Sequence, residues 1–196
     1  MRIETVAEPT QTDADPRFVR AHKALAQALI ALVDENPSEP ISITRLVEAA
    51  GVTRPTFYQH FADVGAALQQ VALERVGEAF PSAPRQDDGR PIEQQVHDYI
   101  LPPLQHLDEH RLFYLRVIET AASIAFFEEL VRLIQQRMRP LPHYRESDLS
   151  DVVAAGAMWM VVRWLRGTVT GTPGDIARRI AALGKLVHQG PEGQEA

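Results

Sequence analysis

Cysteine is absent from the 196 residues of this chain. Its absence excludes a disulfide framework, a cysteine zinc site and thiol catalysis, and it fits a reducing compartment. A surplus of positive charge is also absent, because 20 lysines and arginines face 26 aspartates and glutamates and leave a formal charge of −6. This balance excludes a uniformly basic nucleic-acid coat and a polybasic membrane binder. Any contact with DNA must therefore be local.

Long hydrophobic runs are missing as well. The longest uncharged apolar run, residues 152–162, has 11 residues, whereas about 20 are needed to cross a bilayer. Residues 1–16 carry four acids and one arginine, which is not the pattern of a secretory signal. We expect a cytoplasmic protein with no membrane partner.

The chain also has little that indicates catalysis. It contains no GxSxG elbow, no phosphate-cradling glycine loop and no HExxH motif. His106 and His110 are four residues apart, but a metal site needs further ligands, so the spacing favours a surface pair near a helix end. The sequence therefore predicts no enzyme, no catalytic residues, no metal site and no cofactor.

The hydrophobic spacing that is present is helical along almost the whole chain. Asp15 followed by Pro16 is typical of a helix start, and apolar residues then recur at steps of three and four. Residues 81–91 hold three prolines and a glycine, which predicts a loop between two helical blocks. We predict an all-α protein of about nine helices, over residues 16–34, 43–50, 54–61, 64–80, 92–108, 111–122, 123–139, 150–166 and 175–188.

Residues 42–61 have the form of a helix-turn-helix. Ser42 can cap a first short helix, Gly51 stands where a left-handed residue would end it, and Thr53 can cap a second short helix. The two phenylalanines of the second helix lie one turn apart and point inward. Such a pair of helices can present the N-terminal side chains of the second helix to the major groove of DNA.

The outward side chains of the second helix are mostly hydrogen-bonding groups, and none is acidic. Arg54 can donate to both acceptors of a guanine edge, and Gln59 can both donate a hydrogen bond to adenine and accept one from it. Pro55 can touch a thymine methyl group. Hydroxyl groups and the amides of the helix starts can hold phosphates. The candidate DNA-binding residues are Ser42, Thr44, Thr53, Arg54, Pro55, Thr56, Tyr58, Gln59 and His60.

These motifs resemble the signature of the TetR (tetracycline-repressor-like) family of bacterial regulators. Residues 49–53 read Ala-Ala-Gly-Val-Thr, like the family's turn, and residues 56–61 read Thr-Phe-Tyr-Gln-His-Phe, like its second short helix. The motif match covers residues 16 to about 72. Beyond it, Val-Arg-Trp-Leu-Arg-Gly at 162–167, followed by 173–177, looks like the end of a TetR ligand domain.

The resemblance implies a homodimer that binds an operator on double-stranded DNA and also binds a small-molecule effector in the larger block. An effector that favours a conformation with wrongly spaced recognition helices would release the dimer from DNA, so we expect a repressor. The expected segments are a disordered N-terminal arm over 1–15, a helix-turn-helix DNA-binding domain over 16–62, a helical effector-binding and dimerisation domain over 63–190, and a frayed tail over 191–196.

Two features depart from the family pattern. Asp63 is followed by Val64 and Gly65, where the family has a lysine that touches a phosphate. Residues 17–68 hold five basic and five acidic side chains, a net charge of zero. DNA affinity should then be modest and its salt dependence shallow. A second hypothesis therefore stays open, a small-molecule-binding or sequestering protein whose DNA reader has decayed.

The run 152–162 is apolar around its full circumference, which predicts a helix that is covered on all sides. Either its own core surrounds it, or one of its faces lies on a second subunit. The following helix offers an apolar stripe, so we predict a four-helix contact across a two-fold axis. The predicted interface residues are Val153, Gly156, Ala157, Met160, Trp164, Ile176, Ile180, Leu183 and Val187.

The effector site is predicted from a helix break. Pro102 and Pro103 remove a backbone hydrogen bond and should kink their helix, which opens space between helices. An apolar cleft with a few polar groups is the usual small-molecule site. The candidate lining residues are Tyr99, Tyr114, Glu119, Trp159 and Arg163. As alternatives, each could be an ordinary core or surface residue, and Glu119 could pair with Arg163.

Overall fold

The computed structural model describes residues 15–81, 89–120, 124–141 and 147–188, with side chains in the last range as far as Gly184. Within those ranges the chain forms nine helices and no strand, which confirms the predicted fold class. They are α1 Pro16–Glu35, α2 Ile43–Ala50, α3 Arg54–His60, α4 Val64–Ala79, α5 Ile92–Glu109, α6 Arg111–Thr120, α7 Ile124–Met138, α8 Asp148–Leu165 and α9 Pro173–His188. The predicted arm, apart from Asp15, and the predicted tail lie outside the described residues.

The chain divides into two compact units between Ala67 and Leu68, inside α4. In the first unit, α1 packs against both α2 and α3. Asp15 caps α1 by accepting a hydrogen bond from the backbone N–H of Arg17 at 2.8 Å, and Pro16 occupies the first helical position as predicted. The buried side chains of α1 form one stripe, Leu25, Ala28, Leu29, Leu32 and Val33.

The turn between α2 and α3 depends on Gly51, whose φ of +65° is left-handed. The N–H of Gly51 donates to the carbonyls of Glu48 and Val47, and the N–H of Val52 donates to Val47 at 3.0 Å. Only a residue without a Cβ atom takes this conformation at little cost. The predicted helix-turn-helix is therefore confirmed in its backbone.

α4 is one continuous helix that starts in the first unit and continues into the second. Its first turn is capped by Asp63, whose carboxylate accepts the N–H of Ala66 at 2.7 Å. Further along, the buried apolar side chains are Leu68, Val71, Ala72 and Val76. The division between the two units therefore falls within a helix.

The second unit is built from α5 to α9 and the larger part of α4. α9 packs along α5, and α8 packs against α6, α7 and α9. Pro102 and Pro103 both lie inside α5, which continues through them to Glu109. Fully buried Phe113 and Ile176 mark the core of this unit.

α8 and α9 each begin two residues earlier than the sequence predicts. At α8, Ser147 and Ser150 bond each other's backbone N–H groups in a capping box. At α9, Thr172 and Asp175 do the same. The Thr172 backbone N–H and the Arg178 guanidinium, both bonded to Asp175, lower the pKa of that carboxyl to about 2. Hydrophobic spacing missed these starts because caps are polar and lie before the first apolar residue.

Candidate functional site

The starts of α2 and α3 are held by the hydroxyl groups that the sequence singled out. Ser42 Oγ accepts the N–H of Arg45 at 3.2 Å, and Thr53 Oγ1 accepts the N–H of Thr56 at 3.3 Å. The hydroxyls of Thr53 and Thr56 also bond each other at 2.9 Å. These hydroxyls lie at solvent-accessible helix N-termini, where backbone N–H groups and the helix dipole favour an anion such as a phosphate.

Arg54 is tied to the neighbouring helix. Its Nη2 donates to Oγ1 of Thr44 on α2, ten residues earlier in the chain, and both side chains are exposed. The bond leaves other guanidinium donors available, because a guanidinium has five N–H groups. Arg54 is thus held at the first residue of α3 by a partner in α2, which restricts where its donors can point.

Tyr58 and its neighbours form the outward surface of α3. The Tyr58 side chain is 56% exposed, although Phe57 beside it is fully buried and touches it edge to face. Pro55 and Gln59 are also exposed. An exposed tyrosine hydroxyl, an amide and a guanidinium therefore lie on one short helix, which is the arrangement that the sequence predicts for a groove-reading surface.

His60 is one of two predicted DNA-binding residues, with Thr56, that are half-buried. Its ring lies 3.9 Å from that of Phe18 and 5.5 Å from that of His22, measured between centroids, and both of its ring nitrogens are buried without a hydrogen-bond partner. Burial lowers the pKa of His60, and the nearby His22 lowers it further. The prediction that His60 is exposed is corrected to half-buried, because the last turn of α3 packs on α1. The ring contacts Phe18 of α1, and its two nitrogens are turned away from solvent.

The charge on this surface is local, as expected for a neutral unit. Arg45 forms ion pairs with Glu39 at 2.6 Å and Glu35 at 3.7 Å, so its charge is offset. Arg54, in contrast, is bonded to a neutral hydroxyl. Among these two arginines of the helix-turn-helix, Arg54 is the one with an uncompensated charge.

The structure does not bring the five predicted effector residues together. Tyr99 is buried beside Phe80 and donates its hydroxyl to the backbone carbonyl of Arg137 at 2.7 Å. The side chains of Glu119, Trp159 and Arg163 are exposed, because these positions lie on outer helix faces. Tyr114 lines a cavity formed by described residues of the second unit.

This cavity lies in the second unit among α4, α5, α6, α7 and α8 and has a volume of about 50 Å³. Its surface is entirely apolar, Tyr114 included, and its other lining residues include Val117, Phe126, Met158 and Val161. Tyr114 also shares a hydrogen bond of 2.8 Å with Nε2 of His106. One of the five candidate residues therefore lines an apolar cavity, while its hydroxyl is bonded to His106.

His106 was expected to form a surface pair with His110. Their rings are 4.6 Å apart, but His106 is half-buried through its contact with Tyr114. Burial lowers the pKa of His106 to about 4, with Arg75 and His110 adding to the effect, and burial raises the pKa of Tyr114. Within the described residues no cluster of three or more potential metal ligands occurs.

Arg75 is the residue that sequence reasoning missed. It lies on α4 with its guanidinium carbon 5.2 Å from the ring centre of Phe113, and its Nη1 is buried without a hydrogen-bond partner. A signal was present, because Arg75 follows buried Val71 and Ala72 by four and three residues and therefore lies on the inward face of the helix. A charged residue on an apolar helix face marks a polar site in a core.

Three of the predicted interface residues are buried within the chain. Trp164 donates its indole N–H to the carbonyl of Gly171 at 2.9 Å, and Ile176 and Ala157 are core residues. They cannot meet a partner, so this part of the prediction is corrected. Of the rest, Gly156 is exposed, the side chains of Val153, Met160, Ile180 and Leu183 are half-buried, and that of Val187 lies outside the described residues.

The exposed face of α8 is a different stripe. Val152 and Trp159 are 67% and 55% exposed, and Gly156 and Arg163 are exposed on the same face at steps of four, three and four. Large apolar side chains that share one exposed helix face indicate a contact surface. The sequence could not choose this face because every residue of the run is apolar.

No helix within the described ranges is long and apolar enough to span a membrane. No protein-family model and no curated protein sequence matches the chain.

Solved structures do match it. A TetR transcriptional regulator from Rhodococcus sp. RHA1 is 16% identical with a TM-score of 0.66, over 88% of this chain and 98% of its own. The dihydroxyacetone kinase operon activator DhaS is 17% identical with a TM-score of 0.58, over 86% and 97%. NalD, the secondary repressor of the MexAB-OprM multidrug efflux pump in Pseudomonas aeruginosa, is 15% identical with a TM-score of 0.50, over 90% and 100%. The chain has the all-α fold of TetR-type transcriptional regulators.

Proposed function

We propose that this protein is a DNA-binding transcriptional regulator that binds a pseudo-palindromic operator as a homodimer and is released by a small-molecule effector. One observation carries the proposal. The start of α3 displays Arg54, bonded to Thr44, on the same helix as the exposed Tyr58 and without an acidic residue on that helix. Arginine donors suit a guanine edge, and a tyrosine hydroxyl suits a phosphate.

The dimer in this proposal uses the exposed stripe of α8. A two-fold axis beside Trp159 and Val152 would cover both large apolar side chains, and the exposed Gly156 would let two helices approach closely. Two half-sites about one helical turn apart, or a multiple of it, would then be read together.

Repression is the direction of regulation in this proposal. DhaS is described as an activator and NalD as a repressor, so the shared fold serves both. We take repression as the working hypothesis, because an effector that favours unsuitably spaced α3 helices releases the dimer from DNA.

Selection of bound DNA from a random pool tests the proposal. We expect a pseudo-palindromic motif to be enriched. Arg54→Ala should weaken binding to that motif by ~1–3 kcal/mol and relax base preference at one position of each half-site, while Tyr58→Phe should weaken all sequences about equally. The matched control is Arg45→Gln, which changes the net charge of the unit by the same amount and should therefore weaken all sequences alike without relaxing base preference. Recovery of no motif, or full affinity in both variants, would contradict the proposal.

The alternative of a sequestering protein with a decayed reader is favoured by the neutral charge balance of residues 17–68. Salt separates the two functions. A working reader loses DNA affinity as salt rises, though with a shallow slope, whereas a decayed reader enriches no motif at any salt concentration.

A further inference from the structure

The exposed stripe of α8 ends in opposite charges. Asp148 lies four residues before Val152, and Arg163 lies four residues after Trp159. Steps of four keep side chains on one helix face. Both charged residues are exposed, and neither side chain has a hydrogen-bond or ion-pair partner among the described residues. They lie about 22 Å apart along the helix axis, so they cannot pair with each other within one chain.

The spacing of this stripe is the same when it is counted from either end. The step from the acid to the valine equals the step from the tryptophan to the arginine. When two copies of α8 lie antiparallel, one register therefore sets Asp148 opposite the partner's Arg163. The same register sets Val152 opposite the partner's Trp159. Its midpoint falls beside Gly156, where an added Cβ atom would have open space around it.

The opposed side chains of this register are complementary. An ion pair can form at both ends of the contact, because two-fold symmetry repeats every interaction. In the middle, the large exposed side chains of Trp159 and Val152 cover each other. The missing side chain at Gly156 lets the two backbones approach closely. One register thus satisfies both the charged and the apolar parts of the stripe.

The charges also select the direction and the identity of the partner helix. A parallel pair of α8 helices would set Asp148 against the partner's Asp148 and Arg163 against the partner's Arg163, and like charges repel across an interface. A different protein would have to reproduce the mirrored order of charges and apolar side chains. A second copy of this chain supplies that order by symmetry.

We propose that the exposed stripe of α8 pairs antiparallel with the same stripe of a second copy of this chain, through two Asp148–Arg163 ion pairs around an apolar centre. This pairing rests on the proposed function, which requires a homodimer. It deepens that function by naming the charged groups that select the partner and its orientation. Trp159 and Arg163 are then contact residues and not effector-lining residues.

Sedimentation equilibrium of the full chain at low salt tests the pairing. Asp148→Arg and Arg163→Asp should each weaken self-association by about 10- to 100-fold, because each change creates two like-charge pairs in the dimer. The loss should shrink at high salt. Parallel helices already oppose like charges, so they would leave both variants unchanged. Unchanged association in both variants, or a wild-type monomer at micromolar concentration, would overturn the pairing.

Mixing the two variants separates lost pairing from lost folding. In an equal mixture of Asp148→Arg and Arg163→Asp, every reversed charge can face an opposite charge on the other variant. The mixed dimer should therefore form with an affinity within about 3-fold of the wild type, and native mass spectrometry identifies it by its mass. The chain that carries both changes should recover to the same extent. Recovery in neither case would refute the ion pairs, because mixing cannot repair a folding defect.

A matched control comes from α5. Glu109 is exposed at the end of that helix, and Glu109→Arg changes the net charge by the same amount as Asp148→Arg. Self-association of Glu109→Arg should stay within about 2-fold of the wild type. A loss as large as that of Asp148→Arg would show that net charge governs association, and the proposed pairs would then fail.

Selection of bound DNA separates this pairing from the proposed function. If the mixed dimer forms as expected but no operator is recovered, the α8 contact stands and the regulatory function fails. If an operator is recovered while Asp148→Arg and Arg163→Asp both dimerise like the wild type, the function stands and the α8 contact fails.

Discussion

The two units of this protein place their polar groups in opposite ways. In the first unit, the hydroxyls of Ser42 and Thr53 bond backbone three residues ahead and remain at the surface. In the second unit, His106, Tyr114 and Arg75 come from three helices and meet in the interior. Local contacts of the first kind can be read from a short stretch of sequence, whereas the second kind exists only after the helices have packed.

The largest expected effect tests whether the units are separate folding bodies. Phe57 and Phe113 are both fully buried, one in each unit, and replacement of either by alanine should cost ~3–5 kcal/mol. Both tryptophans, Trp159 and Trp164, lie in the second unit. Their fluorescence during urea unfolding should therefore shift in Phe113→Ala and stay nearly unchanged in Phe57→Ala, while circular dichroism detects both losses. An equal fluorescence shift in both variants would show a single cooperative body.

The next effect concerns the exposed apolar side chains of each unit. Trp159→Ala should weaken the dimer by ~2 kcal/mol or more, because an exposed tryptophan at the centre of an apolar stripe is typical of an interface hot spot. Sedimentation at micromolar concentration measures the change. Val19→Ala is the matched control, since Val19 is 52% exposed but belongs to the first unit. A wild-type monomer at that concentration would exclude the proposed interface.

A smaller effect follows from the half-buried histidines, His106 and His60. Between pH 6.5 and about 4 the unfolded chain takes up a proton at residue 106 that the folded chain does not, because the folded pKa is near 4. The contribution of His106 to the free energy of unfolding should therefore be complete above pH 6.5. It should fall by ~1–2 kcal/mol as pH drops through this window, allowing for solvent screening of a half-buried group.

Urea midpoints at pH 7 and pH 4.5 measure this loss for the wild type and for His106→Leu, in which the pH dependence should flatten. His60→Leu should remove a separate part of the pH dependence of stability, because the pKa of His60 is lowered as well. A slope that is the same in the wild type and in His106→Leu would refute the assignment to the second unit.

The smallest effect compares a glycine that needs a left-handed backbone with a glycine inside a helix. Gly51 has φ +65° and open space where a Cβ atom would stand, so Gly51→Ala should cost ~1 kcal/mol through the backbone alone. Gly184 lies inside α9, also with open space, and Gly184→Ala should stabilise by ~0.5–1 kcal/mol. Thermal unfolding of both variants gives the two signs, and a stabilising Gly51→Ala would show that the turn does not need its left-handed residue.

The parts of the protein that could be predicted are those that depend on near neighbours in the chain. The caps at Asp15, Ser42 and Thr53 and the left-handed Gly51 were all predicted and are all present. The starts of α8 and α9 were placed two residues late for the same kind of reason, because their caps lie outside the apolar pattern. The exposure of His60 was predicted incorrectly, since its burial depends on Phe18, more than forty residues away in the chain.

The amino-acid sequence by itself determined the all-α class, the helix-turn-helix and the identity of the side chains on α3, because helical periodicity, caps and glycine conformation act over a few residues. Only the tertiary structure decided which face of α8 is exposed, that Trp164 and Ile176 belong to the core, and that Arg75 meets His106 and Tyr114. These outcomes depend on which helices pack together. The sequence of a helix that is apolar all round is compatible with several packings, and so is an arginine on an inward helix face. The energy of the whole core selects one of them.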